Sequence, residues 1–290
     1  MVSTQRTVLP RSFLYVPGIR SDFISKALTG AADALLLDLE DSVALAAKVA
    51  ARQVVAESIA GADFARPTPE LWVRINSEFV ELDLDAVVMP GLAGVFLAKC
   101  GVASLDQAAA RLTVLENVRG LPSGSIGIIG LVEDAAALVT LPVMATHPRI
   151  LTFGIGEVDL LASLRIERGP RTLHAVDAIR ARIVIECAAA ACLPPVAPTS
   201  TDFSDLEAFR ESSLTMLDLG FRSRTAVHPS QISVIHDVFT PQKSQVTAAL
   251  DLIARLDESG GGVALDAYGR LVDAAVVRSA REVLQRAAGI

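Results

Sequence analysis

The sequence is poor in aromatic residues and cysteines, and each shortage excludes a class of protein. Aromatic residues make up 4% of the 290 residues while hydrophobic residues make up 51%, so alanine, valine, leucine and isoleucine must form the core. That mixture is typical of parallel strands buried beneath alanine-rich helices. Cys100, Cys187 and Cys192 form no Cys-x-x-Cys pair. They therefore indicate buried thiols in a reducing compartment and not a disulfide framework.

Positive charge and long apolar runs are also scarce. Lysine and arginine number 26 against 33 aspartates and glutamates, a net charge of -7 that argues against nonspecific nucleic-acid binding. No run approaches the ~18 apolar residues of a membrane span. Arg6, Arg11 and Arg20, with Pro10 and Pro17, interrupt the region where a signal peptide would lie. We expect a cytoplasmic protein with no nucleic-acid or membrane partner, although a local cleft can still accept an anion.

Short apolar runs alternate with longer alanine-rich segments of helical period. Strands are predicted at 12–16, 34–38, 71–75, 94–98, 126–131, 149–153, 193–197 and 223–227. Helices are predicted at 22–28, 44–59, 104–118, 134–145, 174–191 and 204–219, and the segment 78–90 gives mixed signals. This alternation predicts an α/β fold of the closed (β/α)8 TIM-barrel type. The alternative, an open doubly wound sheet, would require a glycine-rich phosphate turn where the chain reads Tyr15-Val-Pro-Gly18.

The chain continues beyond the eighth predicted strand for longer than barrel closure requires. Helices are predicted at 230–239 and 241–256, followed by the glycine-rich segment 259–262 and an amphipathic helix at 273–288. We assign residues 1–240 to a catalytic barrel and 241–290 to a helical extension that serves as a lid or an oligomerisation arm. A helix packed on its own barrel is the plain alternative.

Charged residues close most of the apolar runs, where (β/α)8 enzymes carry their chemistry. They are Asp38, Glu40, Asp41, Arg74, Lys99, Glu133, Asp134, Glu157, Asp159 and His228. Any one of them could be a helix cap or an acid in a first helical turn. Together they form a set of hard oxygen ligands with compensating cations, which indicates Mg²⁺, with Mn²⁺ possible. Zinc is disfavoured because the four histidines lack His-x-x-x-His and His-x-His spacings.

Several segments resemble the HpcH/HpaI aldolase and citrate lyase β-subunit family. They are Arg11-Ser-Phe-Leu-Tyr-Val-Pro-Gly18, Leu37-Asp-Leu-Glu-Asp-Ser-Val43, Val73-Arg-Ile-Asn76, Gly130-Leu-Val-Glu133, Phe153-Gly-Ile-Gly-Glu-Val-Asp159 and Val227-His-Pro-Ser-Gln-Ile232. The resemblance runs in order from about residue 11 to residue 288. The second and last segments together make it specific, whereas either alone would be weak.

The resemblance implies a role for each matching metal-site and enolate-site residue. Glu133 and Asp159 match the two direct Mg²⁺ ligands, and Glu40 and Asp41 match acids that hold metal-bound waters. Arg74 matches the cation that binds the substrate oxygen and stabilises an enolate. The sequence Glu157-Val-Asp159 stands where Glu-Asp-Leu is usual, and we place the ligand at Asp159.

The resemblance also implies contacts for the rest of the substrate. The backbone of Gly154, Ile155, Gly156 and Glu157 matches a turn that receives the substrate carboxylate. Arg20 and Lys26 match contacts to the phosphates of coenzyme A, although Ile19 replaces the usual asparagine beside them. The segment Gly269-Arg-Leu-Val-Asp273 resembles a C-terminal lid that brings a catalytic aspartate, here Asp273, to a neighbouring subunit. A homotrimer or a hexamer follows from that arrangement.

The implied activity is a Mg²⁺-dependent acyl-CoA lyase. Its substrates would be of the malyl-CoA or citramalyl-CoA type, giving acetyl-CoA and a 2-oxo acid, glyoxylate or pyruvate. The same site could run the condensation or hydrolyse the thioester. One alternative is the β subunit of citrate lyase, which acts on a citryl group on an acyl-carrier protein and is expected to lack the lid. Another is a barrel retained as a non-catalytic subunit.

Overall fold

Eight parallel strands close into a barrel in the order of the sequence. The computed structural model describes residues 6–63, 68–258, 264–265 and 271–288. The barrel strands are β1 (Ser12–Pro17), β2 (Ala34–Asp38), β3 (Glu70–Ile75), β4 (Leu92–Leu97), β5 (Gly127–Val132), β6 (Ile150–Ile155), β7 (Val196–Ala197) and β8 (Ser223–Ala226). Because β8 pairs with β1, the predicted (β/α)8 barrel is confirmed and the open sheet is wrong.

Helices connect the strands and continue past the last one. They are α1 (Ser21–Ala27), α2 (Lys48–Ala60), α3 (Val80–Val87), α4 (Val102–Val118), α5 (Ala135–Ala145), α6 (Glu157–Leu164), α7 (Leu173–Ala189), α8 (Leu206–Leu219), α9 (Ser230–Phe239), α10 (Lys243–Glu258) and α11 (Ala274–Ala288). A 3-10 turn, Leu45–Ala47, precedes α2. A two-stranded ribbon, β9 (Ala264–Leu265) and β10 (Leu271–Val272), precedes α11.

The differences from the sequence-based elements have local causes. The sequence pattern leaves α3 ambiguous and misses α6, because eight residues are too few for a helical period to stand out. The strand predicted at 193–197 shrinks to Val196–Ala197. Pro194 and Pro195 have no N–H to donate to a neighbouring strand, so pairing begins after them.

Three aromatic side chains fill the middle of the barrel. Phe13, Trp72 and Phe96 are fully buried and meet edge to face, with ring centroids between 5.1 and 5.9 Å apart. Gly94 provides the space for this arrangement, since a Cβ atom there would lie 2.2 Å from the Trp72 ring. The interior is thus a packed core, and any active site must lie above it at an open end.

Strand alternation places charged side chains in the layer above the aromatic core. Successive side chains of a strand point to opposite faces, so residues two positions apart share a face. Asp38 lies two positions beyond Leu36 and Arg74 two beyond Trp72, both members of the interior cluster. Glu133 follows β5 in the same way. The carboxyl ends of the strands therefore carry acids and a cation into the mouth of the barrel.

The opposite end of the barrel is closed by an ion pair. Arg11 donates from Nε and Nη2 to Asp33 at 2.8 and 2.7 Å, and His236 Nε2 lies 3.3 Å from the same carboxylate. Burial alone would raise the pKa of Asp33, but the hydrogen bonds from Arg11 and His236 outweigh it and hold that pKa well below its usual range. This network ties β1, β2 and α9 together at the face of the barrel that serves stability.

Residues 237–290 form a second compact unit, and residues 1–236 form the first. Within the second unit α10 and α11 pack through Leu256 and Val277, so the predicted helical extension is present. The glycine-rich segment 259–262 lies outside the described residues. The domain boundary at residue 240 and the lid role stay predictions. No helix within the described ranges has the length and hydrophobicity needed to cross a membrane.

Gly94→Ala is expected to destabilise the barrel, because the new methyl group would collide with the Trp72 ring. Overpacking of this kind costs roughly 1–3 kcal/mol of unfolding free energy. Gly169→Ala is the matched control, since a Cβ there meets nothing within 4 Å. Chemical denaturation should separate the two variants, and equal stabilities would contradict the packing described for the core.

Candidate active site

Arg74 and Asp38 form a forked ion pair in the mouth of the barrel. They are register partners on β3 and β2, so both side chains leave neighbouring strands on the same face. Arg74 donates from Nε to Asp38 Oδ1 at 2.6 Å and from Nη2 to Oδ2 at 2.8 Å. Burial alone would lower the pKa of Arg74 and raise that of Asp38, but their mutual hydrogen bonds reverse both shifts. Both groups are therefore held in their charged forms.

The remaining nitrogen of Arg74 faces two further acids. Nη1 lies 2.9 Å from Glu40 Oε2 and 3.3 Å from Asp41 Oδ2. The guanidinium also lies over the ring of Tyr15, 5.0 Å from its centroid. These contacts fix the plane of the guanidinium and place Nη1 beside Glu40 and Asp41. Arg74, Glu40 and Asp41 are thus brought together as the sequence predicted, while their roles stay predictions.

Lys99 joins the acids contributed by two different strands. Its ammonium group donates to Glu40 Oε1 at 2.8 Å, and its backbone N–H donates to Glu133 Oε2 at 2.6 Å. The residue has φ +47°, a left-handed conformation that costs of order 1–3 kcal/mol outside glycine. Strain of this kind is found where surrounding contacts enforce a functional turn. Lys99 therefore positions Glu40 and Glu133 relative to each other.

Glu133 is a buried carboxylate, and no cationic side chain in the described part of the chain forms an ion pair with it. Its pKa is raised to about 7, mainly by burial and to a smaller extent by the charges of Glu40 and Asp159, while the Lys99 N–H and Arg74 act in the opposite direction. Its side chain fits against Gly156, where a Cβ atom would lie 2.4 Å from Glu133 Oε1. The glycine is therefore required for the position of this carboxylate.

Asp159 extends the acidic cluster from the start of α6. It lies in the first turn of that helix and is exposed, and its charge contributes to the raised pKa of Glu133. The described residues contain no group of three histidine, cysteine or acidic side chains arranged to hold a metal. The structure links Glu133 and Asp159 only through the effect of the Asp159 charge on the pKa of Glu133.

The pair fits Mg²⁺ by its chemistry. Mg²⁺ commonly uses one or two carboxylates and keeps several waters. Around this pair the carboxylates outnumber the cations five to two, counting Asp38, Glu40, Asp41, Glu133 and Asp159 against Arg74 and Lys99. A divalent cation would relieve the repulsion that raises the pKa of Glu133. The Glu133 carboxylate is the observation that most favours a cation site here.

In the turn between β6 and α6, fewer backbone N–H groups can bind a substrate carboxylate than the sequence implied. Of the predicted stretch Gly154, Ile155, Gly156 and Glu157, the N–H of Gly156 already donates to the Val132 carbonyl at 3.1 Å. No side chain caps α6. The N–H groups that can receive a carboxylate are therefore those of the first turn of α6, beginning at Glu157.

The Glu157 side chain is bound away from this cluster. It is 4% exposed and accepts hydrogen bonds from Arg180 Nε and Nη2, both at 2.8 Å, and a further one from Arg168. The first residue of α6 is thus anchored to α7. Because this carboxylate is already neutralised, the assignment of the metal ligand to Asp159 and not to Glu157 is consistent with the structure.

The predicted coenzyme A contacts lie on α1. Arg20 pairs with Asp22 at 2.7 Å and lies 3.6 Å from the centroid of the Phe23 ring, and it is half exposed. Lys26 lies in the last turn of α1, about 9 Å further along the helix axis at 1.5 Å per residue. In the described part of the chain, no ion pair or hydrogen bond connects either residue with the carboxylate cluster. Their role stays a prediction.

Asp273 caps α11. Its Oδ1 accepts a hydrogen bond from Val276 N at 3.0 Å, and its carbonyl accepts one from Val277 N at 3.1 Å. This is the local structural role that an aspartate at such a position can have. It leaves the proposed catalytic role untested.

Sequence reasoning assigned no role to Asp38, Lys99 or Tyr15. Asp38 and Lys99 were visible as charges at strand ends, but their partners depend on strand register. Tyr15 carried no signal beyond its place in the first apolar run. Period-2 alternation from Leu36 could have placed Asp38 on the interior face with Arg74.

A closed (β/α)8 barrel with an acidic, arginine-bearing site at the carboxyl ends of its strands defines the class of this protein. The chain belongs to the HpcH/HpaI aldolase/citrate lyase family, whose model matches residues 11–229. The family resemblance predicted from its motifs is confirmed.

The relatives cover nearly the whole chain. The citrate lyase subunit beta of Escherichia coli is 31% identical over 295 residues, 98% of this chain and 95% of the relative. The L-malyl-CoA/beta-methylmalyl-CoA lyase of Cereibacter sphaeroides is 31% identical over 303 residues, 96% and 94% of the two chains. CitE from Mycobacterium tuberculosis, solved with magnesium, acetoacetate and coenzyme A, has a TM-score of 0.73 and 26% identity, covering 98% and 100%. The chain is accordingly a lyase of this family.

Arg74→Lys is expected to lower kcat of the lyase reaction by about 100-fold or more with a much smaller change in KM. An ammonium group cannot hold both oxygens of Asp38 and still present a third nitrogen towards Glu40. Arg111→Lys is the matched control, because Arg111 forms a similar fork with Asp85 away from the strand ends. Steady-state kinetics of both variants measure kcat and KM separately. A change confined to KM would mean that Arg74 only binds the substrate.

Proposed function

We propose that this protein is a Mg²⁺-dependent acyl-CoA lyase of the malyl-CoA or citramalyl-CoA type. It would cleave the C–C bond of a 3-hydroxyacyl-CoA carrying a carboxylate, giving acetyl-CoA and glyoxylate or pyruvate. The observation that carries the proposal is the buried Glu133 carboxylate, lacking a cation, beside Asp159 and on the same rim as the fixed Arg74. The names of the relatives support the reaction class, and the magnesium and coenzyme A in the CitE complex support the cofactor and substrate class.

Glu133 and Asp159 would hold the metal, and Glu40 and Asp41 would hold its water ligands. When bound, Mg²⁺, or Mn²⁺ in its place, supplies Lewis-acid polarisation of the hydroxyl or carbonyl oxygen of the acid fragment. Lys99 and Gly156 keep Glu133 in place for this role. The first-turn N–H groups of α6 would receive the carboxylate of the substrate.

Cleavage moves the electron pair of the C–C bond onto the thioester fragment, while the substrate hydroxyl gives its proton to a carboxylate of the cluster and becomes the carbonyl oxygen of the oxo acid. The fragment departs as an enolate, whose negative charge needs a positioned cation. Nη1 of Arg74 suits this role, because Asp38 holds the other two nitrogens and prevents the guanidinium from turning. The enolate carbon then takes a proton, and Asp273 from a neighbouring subunit is the proposed donor. Arg20 and Lys26 would bind the phosphates of coenzyme A.

The β subunit of citrate lyase is the principal alternative. The sequence predicted that the C-terminal extension would separate the two activities, and this expectation is wrong. The curated citrate lyase β subunits align with 96–98% of this chain, so their alignments include the extension as well. A thioesterase or a condensing direction uses the same site, and a non-catalytic barrel is disfavoured by the assembled cluster. Choice between glyoxylate and pyruvate rests on one methyl group, worth about 1–3 kcal/mol.

A panel of thioesters tests the proposal. Malyl-CoA, citramalyl-CoA, β-methylmalyl-CoA, citryl-CoA and citryl linked to an acyl-carrier protein are each incubated with the protein and Mg²⁺, and the released oxo acid and the free thiol are measured separately. Release of glyoxylate or pyruvate without free coenzyme A supports a lyase. Free thiol without acetyl-CoA indicates a thioesterase. Activity only on citryl linked to an acyl-carrier protein indicates the citrate lyase alternative.

Glu133→Gln and Asp159→Asn are each expected to weaken Mg²⁺ binding by about 100-fold or more, since each removes a negatively charged oxygen ligand from a two-carboxylate site. Isothermal titration with Mg²⁺ and spectroscopy with Mn²⁺ measure this without substrate. Glu207→Gln, an exposed acid in the first turn of α8, is the matched control. Unchanged Mg²⁺ affinity in Glu133→Gln would remove it from the metal site.

Asp273→Asn is expected to abolish turnover while the melting temperature stays nearly constant. Asparagine caps helices as well as aspartate does, so the variant removes the acid and keeps the cap of α11. Asp205→Asn, at the N-terminus of α8, is the matched capping control.

Subunit mixing then tests whether the lid acts between subunits. Inactive Asp273→Asn and inactive Glu133→Gln subunits are combined under conditions where exchange is demonstrated. Recovered activity means that an intact lid from one subunit completes an intact metal site of another. A mixture that stays inactive assigns Asp273 to its own barrel, and full activity of Asp273→Asn alone removes the acid role altogether.

A further inference from the structure

A second cluster of arginines lies on the β7–β8 side of the barrel. Arg224 on β8 is 3% exposed, and its hydrogen-bond partners are neutral oxygens. It donates from Nη1 to Ser213 Oγ at 2.5 Å and Ser212 Oγ at 2.9 Å, and from Nε to the Pro198 carbonyl at 3.2 Å. Among the residues that the structure describes, no carboxylate forms an ion pair with it. Burying a guanidinium without a counter-ion costs folding free energy, which makes Arg224 a candidate for binding an anion.

Arg224 opens onto a cleft between the loop that follows β7 and the helices α7 and α8. The cleft has a volume of about 210 Å³. Its lining includes Arg168, Arg180 and Arg224, with Thr199 and Ser200 from the loop. This room far exceeds the ~10–15 Å³ that one water molecule needs, so a polyatomic group fits.

The acids near Arg224 already accept hydrogen bonds from other residues. Glu157 is shared between Arg180 and Arg168. Asp202 accepts from Ser204 N and Oγ within its own turn, and Asp205 caps α8. Burial, followed by repulsion from Arg180, lowers the pKa of Arg224 to about 9. Arg180 is thus a like-charged neighbour of Arg224, and the two acids that line the cleft, Asp202 and Asp205, form no ion pair with Arg224 among the described residues.

The geometry of Arg224 leaves one nitrogen for a ligand. Nε and Nη1 are engaged with protein oxygens, whereas Nη2 has no hydrogen bond to a described residue and is not among the buried polar atoms cut off from solvent. The side chain of Arg168 is 53% exposed, so it can turn towards the cleft. A fixed nitrogen and an adaptable guanidinium on one cleft form a two-point contact for a group with two or more anionic oxygens.

We propose that this cleft binds a small oxyanion, a phosphate or carboxylate group, as the counter-ion of Arg224, with Arg168 as the second cationic contact. The lining of this cleft shares no residue with the metal and enolate site, which consists of Arg74, Glu40, Asp41, Glu133 and Asp159. The proposal does not depend on the lyase activity, and it is tested without Mg²⁺ or thioester.

The affinity of the intact protein for inorganic phosphate is measured in EDTA by isothermal titration and by ³¹P NMR. Acetate in a parallel titration reports whether a carboxylate is preferred. Saturable binding is expected, at least 10-fold weaker in Arg168→Gln and lost in Arg224→Gln. Arg171→Gln is the matched control, because Arg171 is an exposed arginine three residues from Arg168 that does not line the cleft. Arg20→Gln controls for the proposed coenzyme A contact.

Unchanged affinity in Arg171→Gln and Arg20→Gln, with weakening in Arg168→Gln, supports the site. Since Arg224 is buried, Arg224→Gln is first checked by its melting temperature, and Arg168→Gln decides the question if Arg224→Gln does not fold. Absence of saturable binding by both phosphate and acetate overturns the proposal. So does equal weakening in Arg168→Gln and Arg171→Gln, which would indicate only a diffuse surface charge.

Discussion

The fork between Arg74 and Asp38 is the interaction on which the proposed chemistry depends. Two strands in parallel register place the pair side by side above the aromatic layer, and the two hydrogen bonds fix the guanidinium plane. Breaking a buried pair of this kind costs about 3–5 kcal/mol, because the remaining charge is left without compensation. The rigidity gained in this way leaves Nη1 facing Glu40 and the site. A preorganised cation of this kind stabilises developing charge without having to move.

Around that fork the site contains more negative charge than its two cations neutralise. Burial and neighbouring acids raise the pKa of Glu133 to about 7, which shows that its ionised form is disfavoured by its surroundings. The strained backbone at Lys99 and the missing side chain at Gly156 both serve to keep this carboxylate in place. The strained backbone lowers the stability of the fold, and in return it holds an uncompensated carboxylate at the open end of the barrel. Such a carboxylate is suited to binding a cation.

The α6 segment connects this rim to the arginines beyond it. Its first residue, Glu157, is fixed by Arg180 and Arg168, while Asp159, two residues further on in the same turn, adds to the acidic cluster. The position of the first turn of α6, which carries Asp159, thus depends on the ion pair between Glu157 and Arg180 of α7. Arg168 and Arg180 also line the cleft onto which Arg224 opens.

The sequence by itself determined the barrel, the strand ends that carry charge and the family, because apolar periodicity and local motifs are properties of neighbouring residues. Glu133, Arg74 and Glu40 could be placed on one rim from strand order alone. The sequence could not predict that Arg74 pairs with Asp38, that the backbone at Lys99 is strained, or that Arg224 lacks an ion pair among the described residues. Each depends on which strands or helices lie side by side and in which register. Arg74 and Asp38, for example, are 36 positions apart and meet only after the barrel has closed. Tertiary structure alone decided which charges are paired and which are left for a ligand.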